Sequence, residues 1–345
     1  MATMTFASVA RQTLDLNLLL ARIGMLTYQQ RLLHGPRKPN WSWRFESAVQ
    51  AMTQLTPHHA EILADEVRMP FNRITEIPLR LHVDVTPVKI SSVPGEWISM
   101  AGAKPERVVL YIHGGGYISG SPRTHRMLIA QIVEAADARA LVPDYRLAPE
   151  FPYPAALEDS LIAYFWLLEQ GIDPANIVVA GDSAGGGLTI ALLTALRDTG
   201  APLPAGAACL SPWLDLALEG ESMRANATTD YLNESVIRTA AKMYANGHDP
   251  HTPHISPLYA DLRGLPPLLI QAGTAETLLD DAKRFARRAT EAGVEVDLEL
   301  WENMVHVFQF FYLVAPEARQ ALNHIGRFIK QQTSREKKHV FGVAL

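Results

Sequence analysis

Ser183 stands at the centre of Gly181-Asp182-Ser183-Ala184-Gly185, after the apolar run Ile177–Ala180 and before the helix-like Leu188–Leu196. A nucleophile on a tight strand-to-helix turn has a strained backbone. Side chains two positions either side would collide there, which accounts for both glycines. The helix that follows aims free N–H groups at the site and favours developing negative charge. A glycine-rich turn with an incidental serine is the competing reading. The strand–turn–helix context favours the nucleophile. A second signal is His113-Gly114-Gly115-Gly116-Tyr117, directly after the run Val108–Ile112. Consecutive glycines let main-chain N–H groups approach a ligand unobstructed. With the N–H of Ala184 they would bind the oxyanion of a tetrahedral intermediate. A flexible loop or a phosphate nest would use the same residues. However, neither G-x-x-x-x-G-K-[ST] nor G-x-G-x-x-G occurs at these turns, and no lysine follows.

A serine nucleophile needs a base, and the base an orienting carboxylate. Two later segments offer them, each after an apolar run. Ala272 to Asp281 carries Glu276, Asp280 and Asp281, and Trp301 to Phe308 carries His306. Both lie at the carboxyl ends of predicted strands, where open α/β sheets bind ligands. The order Ser183, Glu276, His306 is the nucleophile–acid–base order of an α/β-hydrolase. Asp280 is the alternative acid. Together with Asp281 it also suits a helix's first turn, where carboxylates are favoured by the dipole.

The elements that must hold these residues are legible as short apolar runs between helical stretches: 108–112, 139–143, 177–180, 207–210, 268–270 and 296–300. Such runs predict strands buried on both faces, with helices above and below. Two earlier strands are predicted over 77–85 and 96–100, the first from its alternating pattern. The expectation is an α/β fold with a mostly parallel eight-stranded sheet. The first 45 or so residues read as helix, with Phe6, Val9, Ala10, Leu14, Leu18 and Ile23 near one face and Gly35-Pro36 as the break. A second helix is expected around Trp41 to Leu55. Residues 213–254 read as helical without a strand, and the end from Ser334 as a loose tail.

The sequence resembles the hormone-sensitive-lipase family of α/β-hydrolase esterases, the bacterial family IV group with the GDSAG motif. The resemblance covers most of residues 105–310. It runs through His113-Gly114-Gly115-Gly116, Asp144-Tyr145-Arg146-Leu147-Ala148-Pro149-Glu150, Gly181–Gly185, Ser211-Pro212-Trp213-Leu214-Asp215, Ser256-Pro257-Leu258 and the His306 segment. It implies Ser183 as nucleophile, His306 as base, and Gly115, Gly116 and Ala184 as oxyanion donors, with His113, Gly114 and Asp182 as supporting residues. It implies a helical cap from 1–50 and 213–255 over a catalytic core of 51–212 and 256–333, with a tail at 334–345. It also implies hydrolysis of small-molecule, short- to medium-chain acyl esters without cofactor or metal, and a homodimer. An amidase or long-chain lipase on the same triad, and a receptor of this fold that has lost catalysis, are the alternatives. The chain departs from the family at the acid: the usual aspartate of D-x-L-x-D-[DE] is Glu276, while Leu278, Asp280 and Asp281 match. Glutamate also serves as the acid in α/β-hydrolases.

Other residues carry less. His248, His251 and His254 are spaced like metal ligands, but Pro250 and Pro253 interrupt any helix between them. Cys209 falls in a predicted core strand and reads as a buried thiol. Asp144, Tyr145 and Arg146 read as a buried structural network near the glycine loop. Trp41, Trp43 and Phe45 suit either a substrate entrance or the cap's own core. Of 345 residues, 31 are Lys or Arg and 36 Asp or Glu, a net charge of −5, which leaves no footprint for nucleic acid. With 48% hydrophobic and 19% charged residues the chain is neither disordered nor collagen-like. The single cysteine excludes an internal disulfide framework and fits a reducing compartment. The apolar stretch Leu14–Ala21 is broken by Asp15 and Asn17, so neither a signal peptide nor membrane insertion is expected, and a cytoplasmic address follows by default.

Overall fold

A computed structural model describes residues 6–57, 59, 62–74, 82–100 and 106–334, without the side chains of 6–17 and 70–74. Helices α1 (Phe6–His34), α2 (Trp43–Leu55) and α3 (Ala64–Ile74) come first. The hairpin β1 (Asp84–Ile90) and β2 (Val93–Ser99) follows. Then strands and helices alternate: β3 (Val108–Ile112), α4 (Pro122–Ala136), β4 (Arg139–Pro143), α5 (Ala155–Glu169), β5 (Ile177–Asp182), α6 (Ala184–Asp198) and β6 (Gly206–Leu210). After α7 (Ser222–Ala225) and α8 (Glu234–Ala245) the alternation resumes with β7 (Leu268–Gly273), α9 (Leu279–Glu291), β8 (Val296–Trp301) and α10 (Pro316–Thr333).

The eight strands form one sheet in the order β1-β2-β4-β3-β5-β6-β7-β8. Pairing is antiparallel from β1 to β2 and from β2 to β4, and parallel across the other five interfaces. All six apolar runs are strands, and β3, β5, β6 and β7 are buried throughout. The reason lies in the two layers they face. Val108, Leu110 and Ile112 of β3 belong to one core cluster that includes Leu167 of α5, Leu193 of α6 and Phe285 of α9. Val109 and Tyr111 point the other way, toward Ile129 and Ile132 of α4 and Ile325 of α10. A strand sandwiched like this needs apolar residues at every position rather than every second one.

The first strand departs from expectation. Its predicted span was 77–85, whereas β1 runs from Asp84 to Ile90; residues 75–81 lie outside the described residues. β1 bonds only to β2, so it is an edge strand. An edge tolerates Pro87 and a mostly exposed pattern, which hides it from a search for apolar alternation. The expected face of the first helix is also incomplete. Ile23 is buried, but Leu18 is exposed; the side chains of Phe6, Val9, Ala10 and Leu14 are outside the description. Residue 50 falls within α2, so the N-terminal helical region continues to Ile74. No described helix is long and apolar enough to cross a membrane.

Candidate active site

The chain leaves β5 at Asp182 and enters α6 at Ala184, so Ser183 alone makes the turn. Its backbone has φ 53 and ψ −121, a conformation that costs a non-glycine residue energy and marks a constrained position. Hydrogen bonds clamp the turn: the Ser183 N–H donates to the Leu210 carbonyl at 2.8 Å, and the Trp213 N–H to the Ser183 carbonyl at 2.9 Å. The two flanking glycines are required by close approach. A Cβ on Gly181 would lie 2.4 Å from the Gly185 carbonyl oxygen, and one on Gly185 only 2.0 Å from that of Ile112.

The turn aims the Ser183 hydroxyl at His306, whose Nε2 lies 2.9 Å from Oγ. His306 lies beyond β8, and Glu276 between β7 and α9. Both are buried. The Glu276 Oε1 faces His306 Nδ1 at 3.8 Å, longer than a hydrogen bond, and neither atom has a hydrogen-bond partner of its own. The other oxygen, Oε2, accepts from the Gly273 N–H and the Ser211 hydroxyl, each at 2.7 Å. Ser211 Oγ in turn accepts the Val307 N–H at 3.0 Å, linking the acid to the histidine segment. Burial alone would pull the His306 pKa down. The Glu276 carboxylate, with Asp230 and Asp182 further off, more than offsets this, and the pKa is raised.

Asp280 has other work. Its Oδ2 accepts the Ser222 N–H at 2.8 Å. Asp281 accepts the N–H groups of Leu214 and Asp215, each at 2.9 Å. Of the three carboxylates in this segment, Glu276 is the one opposite His306.

Gly115 and Gly116 line the same cavity as Ser183, both at positive φ. Ala184 is the first residue of α6, so its N–H belongs to the helix's unpaired first turn. Asp182 secures the glycine loop. It accepts from Tyr111 OH at 2.8 Å and the Gly114 N–H at 3.0 Å, with His125 Nε2 at 3.3 Å. Burial opposes its charge, but His125 and Tyr111 hold the pKa below the ordinary value. His113 is buried, and that burial, with His125 beside it, takes its pKa down to about 3. The neutral ring sits with Nδ1 2.8 Å from the Gly114 carbonyl, so Nδ1–H is the donor. Tyr145 stacks on the same ring and donates to the His113 carbonyl at 2.8 Å.

The cavity over Ser183 measures about 90 Å³. Met52, Leu55, Val67, Val236, Ile237 and Phe310 form much of its apolar wall. The three aromatics considered for an entrance are absent from it. Trp41 and Phe45 are buried against each other, Phe45 also meets Phe311, and Trp43 is half-exposed beside Tyr28. The network around Asp144 also needs correction: Asp144 is exposed, and Arg146 pairs instead with Asp159. Cys209 is buried, which pushes its thiol up to about 12. His251 contacts Asp249 and Glu219, while His248 packs edge-on to Tyr153. Sequence reasoning missed Ser211 and Asp230, whose Oδ1 accepts the His306 N–H at 3.1 Å. Ser211 lay within a quoted motif, but nothing in a serine or a loop aspartate announces contact with residues so distant in sequence.

Residues 109–310 match the profile of a family with the alpha/beta hydrolase fold. An acetyl-hydrolase of Streptomyces hygroscopicus is 45% identical over 83% of this chain and 96% of its own. An esterase of Acinetobacter venetianus is 36% identical over 84% of this chain and 96% of its own. Among solved structures, an esterase of the bacterial hormone-sensitive lipase family superposes with TM-score 0.81 at 45% identity, covering 85% of this chain and 99% of that one. EstE5, in crystals soaked with p-nitrophenyl butyrate, gives 0.79 at 38% identity over 84% and 98%. A fold match, full-length relatives and the convergence at the sheet's carboxyl edge agree: this chain is a carboxylic ester hydrolase and belongs to the hormone-sensitive-lipase family of α/β-hydrolase-fold esterases.

Proposed function

We propose that the chain hydrolyses short- to medium-chain acyl esters through an acyl-enzyme on Ser183, with His306 as base and Glu276 as orienting acid. The observation that carries this reading is the 2.9 Å contact from Ser183 Oγ to His306 Nε2, with Glu276 aimed at the far ring nitrogen. Ser183 Oγ attacks the ester carbonyl as its proton passes to Nε2. The oxyanion is held by the N–H groups of Gly115, Gly116 and Ala184, each donor contributing about 3 kcal/mol. Collapse expels the alcohol, which takes the proton from His306. Water then attacks the acyl-enzyme, His306 takes its proton, and the acid leaves as Ser183 is restored. Positive charge develops on the imidazole in each half. It draws Glu276 Oε1 and Nδ1 together from their resting 3.8 Å, since catalytic hydrogen bonds often tighten only as the reaction proceeds.

Chain length is read from the small apolar cavity and from the acetyl-hydrolase relative. The cap in this reading comprises the N-terminal helices through α3 together with 213–255, since Met52, Leu55 and Val67 join Val236 and Ile237 in the cavity wall. A cytoplasmic address and a homodimer complete it, the former resting on the lone, buried Cys209.

The test is turnover of p-nitrophenyl esters of graded chain length, with amides as controls, alongside fluorophosphonate labelling. Activity peaking on short to medium esters, a single adduct on Ser183, and a kcat loss on the order of 10⁶ in Ser183→Ala are expected. Absence of both turnover and adduct would overturn the reading.

A further inference from the structure

Gly273 ends β7 and Leu279 begins α9, so the carbonyls of the loop carrying Glu276, 274 through 277, lie outside any strand ladder, and only that of Glu276 takes a long 3.4 Å bond from the Leu279 N–H at the helix start. A segment distant in sequence supplies donors to them. Ser222 Oγ donates to the Thr277 carbonyl at 2.7 Å. Asn226 Nδ2 reaches those of Thr274 at 3.2 Å and Glu276 at 2.8 Å. Thr229 Oγ1 lies 3.1 Å from that of Ala275. Four successive carbonyls, 274 through 277, thus face donors from residues 222–229. Asp230 completes the set from the opposite polarity. Its Oδ2 accepts the Thr277 N–H at 2.8 Å and the Thr277 hydroxyl at 3.0 Å. Its Oδ1 accepts the N–H of His306 at 3.1 Å and of Tyr231 at 2.9 Å. Burial pushes the Asp230 pKa up, while the three N–H donors, the Thr277 hydroxyl and nearby His306 favour the charged carboxylate.

We infer that residues 222–230 form a strap that positions the triad, with Asp230 fixing the Glu276 loop and the His306 segment in a common register. The inference rests on the triad reading above. Its physical basis is that Glu276 and His306 sit on separate connections, and a misplacement of about 1 Å can cost on the order of 100-fold in rate. The Asp230 side chain bonds to backbone N–H groups of both connections, beside the Ser211 hydroxyl, which joins the Glu276 side chain to the Val307 N–H. The strap then runs on into Tyr231 and Leu232, which line the cavity. Ser222, Asn226, Thr229 and Asp230 are therefore positioning residues that act through Glu276 and His306.

Asn226→Ala and Asp230→Asn test this, with Ser183→Ala in parallel. Asn226 is only half-buried, so its replacement leaves the fold intact. In Asn226→Ala, kcat on a short p-nitrophenyl ester should fall about 10- to 100-fold with KM within about threefold. In Asp230→Asn the same loss should come with a second signature. The charged or titratable groups facing His306 are Glu276, Asp230 and Asp182; those near Asp230 are His306, Glu276 and Tyr231. Removing the Asp230 charge lowers the His306 pKa, so the acid limb of kcat/KM should move to lower pH, while Asn226→Ala leaves it in place. A folded Asn226→Ala enzyme with wild-type kcat would overturn the strap, as would an unmoved acid limb in a folded Asp230→Asn enzyme. If Asp230→Asn does not fold, Asn226→Ala decides. An active Ser183→Ala would instead bring down the triad reading itself.

Discussion

The acid we propose, Glu276, stands where the motif of the family usually has aspartate, and surrounding hydrogen bonds accommodate the longer side chain. Gly273 N–H and Ser211 Oγ hold one oxygen of Glu276 and leave the other toward His306. Glu276→Gln keeps the shape but places a neutral amide beside a ring that must become positive. Loss of kcat on the order of 10³- to 10⁴-fold is expected, the scale seen when a triad acid is removed. Asp280→Asn should stay within about threefold of wild type, because its carboxylate caps the Ser222 N–H and takes no part in the ring's charge. Steady-state kinetics on one ester settles the pair. The reverse ranking would move the acid to Asp280.

At the scale of elements, the proposed mechanism depends on how closely β3, β5 and α6 meet. The nucleophile turn is pressed against the end of β3, with the Gly185 Cα against the Ile112 and His113 carbonyls. A methyl group added at Gly185 meets the Ile112 and His113 carbonyl oxygens at 2.0 Å and 2.6 Å, and backbone cannot rotate away. Gly185→Ala should therefore destabilise the protein by at least about 3 kcal/mol, measured by chemical denaturation, and remove activity even where folded protein is recovered. The same packing sets Ser183 at its unusual φ and places the glycine loop beside it. Tight element contact, local strain and a hydroxyl facing the cavity are one arrangement.

Over the whole molecule, a buried carboxylate ties stability to pH. Asp281 lies at the joint between α9 and the Trp213–Asp215 segment, and burial, with Asp215 nearby, pushes its pKa up to about 8. In the unfolded chain an aspartate titrates near about 3.9. The folded protein therefore holds a proton that the unfolded chain releases. The resulting stability is present in full below about pH 4 and is lost as pH rises through about 8. In Asp281→Asn the side-chain oxygen can still accept the Leu214 and Asp215 N–H groups, but nothing titrates. Thermal melts from pH 4 to 8 should show a smaller decline in Tm for the variant than for the parent. An equal decline would place the titration elsewhere.

The strand runs, the nucleophile turn with its two glycines, the glycine loop and the order Ser183–Glu276–His306 were all legible in the chain. Each is a local demand: a strand buried on both faces must be apolar, and a crowded turn must be glycine. Edge strand β1 was misplaced because one partner and a solvent face impose little pattern. Trp41, Trp43 and Phe45 were ambiguous until packing set Trp41 and Phe45 in the core and left Trp43 half-exposed, all three away from the cavity wall. Tertiary structure alone decided that Glu276 rather than Asp280 faces the imidazole, and that Ser211, Asn226 and Asp230 bind the segments that carry Glu276 and His306. These depend on side-chain direction and on contacts across dozens of residues, which no local spacing encodes.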